Sequence, residues 1–251
     1  MRVVSMVPSW TETLCEAGVE VVGRTRFCVH PAARVAGIPA VGGTKDWDLA
    51  KVRRAAPDLI VLDREENPAW MAEQAPCAWA ATHVRGADGV GAELAALARA
   101  TGCAELKSFA ARWNKAAAAP PRPRFHSWDT LPGLIKWLRR PAASPAELER
   151  VEYLIWRNPW MGVAPQTFIG SMLARAGFSG LLVERSEPYP QLTTEAFAAP
   201  ERTLLLCSTE PYPFARFHAE VAALGCPAAL VDGEAYSWFG VRSLRFLESL
   251  G

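Results

Sequence analysis

The chain has 251 residues, 27 of them Lys or Arg and 26 Asp or Glu, for a formal net charge of +1; half of its residues are apolar and 21% are charged. That balance lacks the positive excess that non-specific binding to nucleic acid or to an anionic membrane surface requires, so neither is an expected partner. At about 100–200 residues per domain, the length suits one large domain or two smaller lobes, each able to bury a core.

Met1–Val7 runs straight into a β-branched apolar stretch with no basic region, long apolar region or small-residue cleavage site before it. A cytoplasmic protein is therefore expected, with a periplasmic one as the alternative if a leader has been removed. No segment approaches about 18 consecutive apolar residues, so no membrane insertion is expected. The six cysteines, at positions 15, 28, 77, 103, 207 and 226, include no CxxC pair, which argues against structural zinc and for buried thiols.

Arg2–Val7 reads as a buried strand, followed by a helix capped by Ser9 or Thr11, with Glu12 in its first turn and Gly18 at its end. Val19–Val22 reads as a strand, Asp48–Ala55 as a helix stopped by Pro57, Leu59–Leu62 as a strand, Pro68–Gln74 as a helix and Ala78–Ala81 as a fourth strand. From Asp88 to Ala119 the apolar spacing is helical, broken at Gly102. The second of these helices, within 103–119, is expected to connect an N-terminal lobe (1–102) to a C-terminal lobe (120–251), and Pro120, Pro121 and Pro123 close it. In an apparent insertion over 125–149, Leu134, Ile135, Trp137 and Leu138 suggest a short helix and Ser144–Glu147 the start of another. Strands are then expected at Glu152–Trp156, Thr203–Cys207 and Ala228–Val231, and helices at Gln166–Ala176, stopped by Gly177, and at Phe214–Leu224. Short apolar strands alternating with helices indicate an α/β fold with mainly parallel sheets.

Two short segments recur. Leu14-Cys15-Glu16-Ala17-Gly18 matches Leu173-Ala174-Arg175-Ala176-Gly177, and Ala56-Pro57-Asp58 matches Ala199-Pro200-Glu201, each of the latter pair leading into an apolar strand and then an acidic, proline-closed loop. Two similar lobes create a cleft, and ligands of open α/β sheets bind beyond the carboxyl ends of the strands.

No GxSxG, HExxH or GxGxxG is present, and Gly43-Thr44-Lys45 reverses the order a phosphate loop needs. The four histidines, at 30, 83, 126 and 218, have no metal-ligand spacing among them. The positive signal is aromatic: ten tryptophans, several in predicted loops. Trp79, Trp113 and Trp137 read as core. Trp10, Trp47, Trp156, Trp160 and Trp238 fall at strand ends, where a large ring is costly to expose unless it covers a ligand, and a flat apolar ligand would explain them. Cys28 and His30, two apart in an extended segment, either grasp a soft metal, supply His30 as an axial ligand to a chelated metal, or are structural. Glu65, Glu66 and Glu210 are solvated loop carboxylates or docking points for an arginine-bearing partner, and Arg242 is either a carboxylate anchor or a surface ion-pair partner.

Val3-Val4-Ser5-Met6-Val7-Pro8-Ser9-Trp10-Thr11-Glu12, Val22-Gly23, Val41-Gly42-Gly43-Thr44 and Pro57-Asp58-Leu59-Ile60-Val61 resemble the N-terminal lobe of the class III substrate-binding proteins of ABC importers for cobalamin and iron–siderophore chelates. Tyr153–Met161, Ser208–Phe214, Asp232-Gly233-Glu234 and Ser237–Gly240 resemble a signal-less cobalamin-binding, or helical-backbone metal receptor, branch. The resemblance implies two Rossmann-like lobes bridged by one long helix and a monomer that binds a corrinoid or other metal chelate, possible bound ligands rather than required cofactors. It further implies an ABC permease as partner, docked through Glu65, Glu66 and Glu210. The ligand-binding residues it suggests are Trp10, Phe27, Cys28, His30, Thr44, Lys45, Trp47, Trp156, Trp160, Met161, Tyr212, Trp238 and Arg242. A chelatase-like enzyme of tetrapyrrole metabolism and a regulatory interaction module are the alternatives on the same fold.

Overall fold

The computed structural model describes residues 1–250. The chain forms two compact units: Met1–Ala118 with Trp238–Arg245, and Ala119–Ser237 with the residues from Phe246 onward.

The first unit is built on β1 (Arg2–Ser5), β2 (Glu20–Thr25), β3 (Ala40–Gly42), β4 (Leu59–Asp63) and β5 (Ala78–Thr82). They form one parallel sheet in the order β3-β2-β1-β4-β5. Every residue of β4 is buried, as expected of a central parallel strand covered on both faces, and Ile60 and Leu62 join Val4, Met6, Val41, Val52 and Met71 in the core. The connecting helices are α1 (Pro8–Glu16), α2 (Ala32–Val35), α3 (Leu49–Ala55) and α4 (Ala69–Glu73). Neither Ser9 nor Thr11 caps α1: Val7 is the N-cap and Pro8 opens the helix, where a missing N–H is tolerated. The Thr11 and Thr13 hydroxyls instead donate to the carbonyls of Val7 (3.0 Å) and Ser9 (2.9 Å). Two 15-residue helices, α5 (Ala87–Thr101) and α6 (Ala104–Ala118), pack against each other after a turn at Gly102, whose φ is +68°. Their closeness requires Gly91, where a Cβ would stand 1.8 Å from Asn114 Oδ1, and Trp113 Nε1 donates to the Ala87 carbonyl at 2.6 Å.

In the second unit, β6 (Leu134–Arg139), β7 (Arg150–Leu154), β8 (Thr203–Ser208) and β9 (Ala228–Val231) make a sheet ordered β6-β9-β8-β7. The last three are parallel, and β6 runs antiparallel to β9. The helix expected around Leu134–Leu138 is therefore an edge strand. Its residues are only partly covered, and Lys136 and Arg139 are exposed, a charged edge that discourages further pairing. The helices are α7 (Phe168–Leu173), α8 (His218–Ala222) and α9 (Gly233–Ser237); α10 (Val241–Leu250) starts in the first unit, to which Val241–Arg245 belongs, and its residues from Phe246 belong to the second. Where one helix was expected over 214–224, a 3-10 turn at Phe214–Arg216 precedes the short α8. Gly177 ends the α7 region with φ +99°. Ser144 caps a 3-10 turn in a capping box with Glu147.

The recurring segments occupy matching places. Gly18 (φ +78°) and Gly177 end the first helices of the two units, and the Ala-Pro-acidic segments precede β4 and β8, both fully buried. The parallel series β1-β4-β5 has its counterpart in β7-β8-β9. No helix of the described residues is long and apolar enough to cross a membrane.

Candidate ligand-binding residues

In the first sheet the connections reverse at β1, with β2 and β3 on one side and β4 and β5 on the other, so the carboxyl ends of β1 and β4 form a switch point. A buried polar network organises that end. Asn67 accepts from the Asp63 amide (2.8 Å) and donates to the carbonyls of Met6 (3.2 Å) and Thr44 (2.8 Å), tying the loop after β4 to two others. Thr82 Oγ1 lies 2.7 Å from Asp63 Oδ2 and accepts from Trp10 Nε1 at 2.8 Å. Sequence reasoning passed over Asp63, Asn67 and Thr82; an Asp ending a strand with an Asn four residues on is the signal that marks them.

Trp10 is thus a fully buried core residue and presents no surface to a ligand. Its ring also packs on Phe239, with centroids 4.9 Å apart. Thr44 holds its loop through its carbonyl, and Lys45 is exposed at the tip of the same turn. Gly42, at φ +151°, lets that turn close: a Cβ there would stand 2.3 Å from the Asp46 carbonyl. Trp47 is half-buried with its edge toward Trp70, 6.1 Å between centroids, and its indole N–H is buried without a partner.

Cys28 and His30 do not form a pair. The Cys28 thiol is buried 3.1 Å from the hydroxyls of both Thr11 and Thr25, and burial raises its pKa; it is a packed thiol rather than half of a metal grip. His30 meets Trp238 edge to face at 5.4 Å. The Arg242 guanidinium lies 5.5 Å from the centre of the same Trp238 ring and is bound by Glu12 through two hydrogen bonds of 2.8 and 2.7 Å. It is therefore an internal ion-pair partner rather than a free anchor for a ligand carboxylate. Phe27 stands 50% exposed beneath the Arg26 guanidinium, which is itself paired with Asp46.

In the second unit, Trp156 and Met161 pair across a tight turn, Ile155 donating to Met161 and Met161 to Trp156, each at 3.0 Å. Asn158 in that turn has φ +64°. Trp156 is 43% exposed and meets Tyr212 edge to face at 5.1 Å. Tyr212 leans on Phe214 and Phe217, and Trp160 stacks on Phe214 within 6° of parallel, so Tyr212 and Trp160 line the core below Trp156. Arg157, not singled out from sequence, lies 5.0 Å over the Phe217 ring and 3.6 Å from Glu220.

Among the acidic loop residues, the Glu65 side chain is half-exposed and 3.6 Å from His83, Glu66 is half-buried, and Glu210 accepts from Ser237 at 2.6 Å. Of the tryptophans assigned to the core, Trp113 is fully buried and Trp137 half-buried against Trp128, whereas Trp79 is 50% exposed on the edge strand β5. Among the described residues, no group of three or more His, Cys, Asp or Glu side chains is arranged to hold a metal ion.

No protein-family model and no curated protein matches the chain. Solved structures do. The periplasmic vitamin B12-binding protein BtuF of Vibrio cholerae superposes with a TM-score of 0.66 at 16% identity, over 99% of this chain and 94% of its own. The periplasmic heme-binding protein BhuT, in complex with two hemes, gives 0.73 at 20% identity over 99% and 96%. A periplasmic heme-binding protein from Pseudomonas aeruginosa gives 0.70 at 17% identity over 99% and 90%. From end to end, the chain has the α/β fold of these periplasmic binding proteins.

Proposed function

We propose that the protein is a solute-binding receptor for a metal chelate with a flat macrocycle, of the corrinoid or heme type, and that it acts by binding rather than by turnover. The fold is one whose known members include proteins named for vitamin B12 and for heme. The observation that carries the reading is the matched exposure of two rings. Phe27 stands two residues beyond the carboxyl end of β2, and Trp156 two residues beyond the carboxyl end of β7. In each unit, a large ring half in water beyond the carboxyl end of a parallel strand is costly unless it covers an apolar surface, which supports the reading.

The charges favour a corrinoid over a carboxylate-rich chelate. Of the two candidate cations, Arg242 is committed to Glu12 and Arg26 beside Phe27 to Asp46, so Lys45 is the one proposed to meet polar groups of the ligand. His30, held by its edge contact with Trp238, is the proposed axial donor to the chelated metal. Delivery to an ABC permease would use exposed loop carboxylates, with Glu65 the most accessible of the three candidates.

The test is a titration with aquocobalamin, cobinamide and hemin, followed by tryptophan fluorescence and calorimetry. Saturable binding of about one corrinoid per chain is expected, with hemin weaker; no binding of any of them sinks the proposal. Phe27→Ala and Trp156→Ala should each weaken corrinoid binding by about 1–3 kcal/mol, the scale of one large buried side chain, while leaving the melting temperature in place. His30→Ala should alter the visible spectrum of bound aquocobalamin, and an unchanged spectrum removes His30 from the axial role. Metal insertion into a free porphyrin by the purified protein would favour the chelatase alternative instead.

A further inference from the structure

The second unit contains a cavity of about 210 Å³ that none of the candidate ligand-binding residues line. It is too small for a macrocycle, since pockets for drug-sized ligands run to roughly 300–1,000 Å³, but it has room for a small anion and its shell of water. Two of its walls are the arginines Arg122 and Arg124, the others are small or apolar, and no acidic side chain lines it.

The two arginines are fixed in different ways. Arg124 Nη2 donates to the carbonyls of Pro145 (2.6 Å) and Leu148 (2.7 Å), which locks the guanidinium in place, while its Nε is buried with no hydrogen-bond partner. The Arg122 backbone is held by the Arg175 carbonyl at 2.9 Å, but its side chain makes no hydrogen bond or ion pair within the described residues. The Arg122 guanidinium therefore keeps its donors for a partner that enters from solvent. The space itself depends on glycine. Gly177, at φ +99°, approaches so closely that a Cβ would stand 2.8 Å from the Pro123 carbonyl, and Gly180 opens on empty space.

We infer that this cavity binds a small oxyanion, a phosphate or the phosphoryl group of a small metabolite, through the guanidinium groups of Arg122 and Arg124. Planar guanidinium forks match tetrahedral oxyanions in geometry, and two positive charges without a local carboxylate supply the electrostatic attraction. The inference is independent of the corrinoid reading, because it concerns other residues and another ligand class.

The full-length chain, in a buffer free of phosphate and sulfate and at low ionic strength, is titrated with inorganic phosphate and with sulfate by calorimetry and by ³¹P NMR. One saturable site is expected, weakening as sodium chloride is raised. Arg122→Gln should weaken it at least about tenfold, the scale of one hydrogen bond to a charged group. Arg124 is avoided because it also ties two carbonyls. Gly180→Glu, at an exposed position with no neighbour to clash, brings a carboxylate to the rim and should abolish binding. Adding glucose 6-phosphate as a second probe separates free phosphate from a phosphorylated metabolite: tighter binding of the latter identifies the phosphoryl group of a larger molecule. No saturable binding of phosphate, sulfate or glucose 6-phosphate at roughly 10 mM, or equal binding by wild type and both variants, overturns the inference.

Discussion

Replacing Trp10 by alanine is expected to lower stability by about 3–5 kcal/mol, the range for emptying a core position of its largest side chain. The indole is completely buried, packs on Phe239 and donates to Thr82, so the substitution removes apolar contact and leaves the Thr82–Asp63 pair short of a donor. Equilibrium urea unfolding measures it: the midpoint should fall while the dependence on denaturant stays the same. Trp10→Phe isolates the lost hydrogen bond, and a smaller decrease of about 1 kcal/mol is expected beyond the packing difference. A midpoint within error of wild type for Trp10→Ala would show that the ring is a ligand surface after all.

Arg242→Ala should be comparably damaging, by about 3–5 kcal/mol, because it strands a carboxylate in the interior. The Glu12 side chain is only 5% exposed, and both of its oxygens accept from Arg242. The double variant Glu12→Leu/Arg242→Met should recover much of the loss, since two apolar side chains of similar size remove the unpaired charge along with its partner. The same unfolding series reads both proteins. If Arg242→Ala unfolds like wild type but no longer binds a corrinoid, the guanidinium serves the ligand and not the fold.

The contrast between these two residues and Phe27 shows what local pattern can and cannot reveal. The strands at Leu59–Asp63 and Thr203–Ser208 contain continuous apolar runs, 59–62 and 204–207, buried on both faces, and α5 and α6 carry their apolar residues at helical spacing; such elements are legible without tertiary knowledge. The 134–139 strand misleads because four of its six residues are apolar with no clear period, and its identity is decided by pairing with β9 almost a hundred residues later. The C-terminal helix α10 carries Val241, Leu244 and Leu247 at helical spacing and is legible in the same way; what local pattern cannot show is that its Arg242 and Arg245 pair with Glu12 and Glu16, about 230 positions earlier. The site divides along the same line. That aromatic residues collect at strand ends is visible in the sequence. Which ring turns inward, as Trp10 does, and which stays in water, as Phe27 and Trp156 do, depends on neighbours that only the folded chain brings together.

Because Trp238–Arg245 belongs to the same unit as Met1–Ala118, that unit is closed by a segment made after nearly all of the other unit. Gly240 sits so close to Thr13 that a Cβ would lie 2.2 Å from its hydroxyl oxygen, and the same hydroxyl accepts from the Val241 amide. During synthesis Met1–Ala118 therefore leaves the ribosome with Glu12 lacking its arginine and Trp10 lacking Phe239, and it must wait for nearly the entire second unit before acquiring either. A nascent chain arrested anywhere before residue 238 should leave Met1–Ala118 protease-sensitive, and resistance should be gained only once Trp238–Arg245 has emerged.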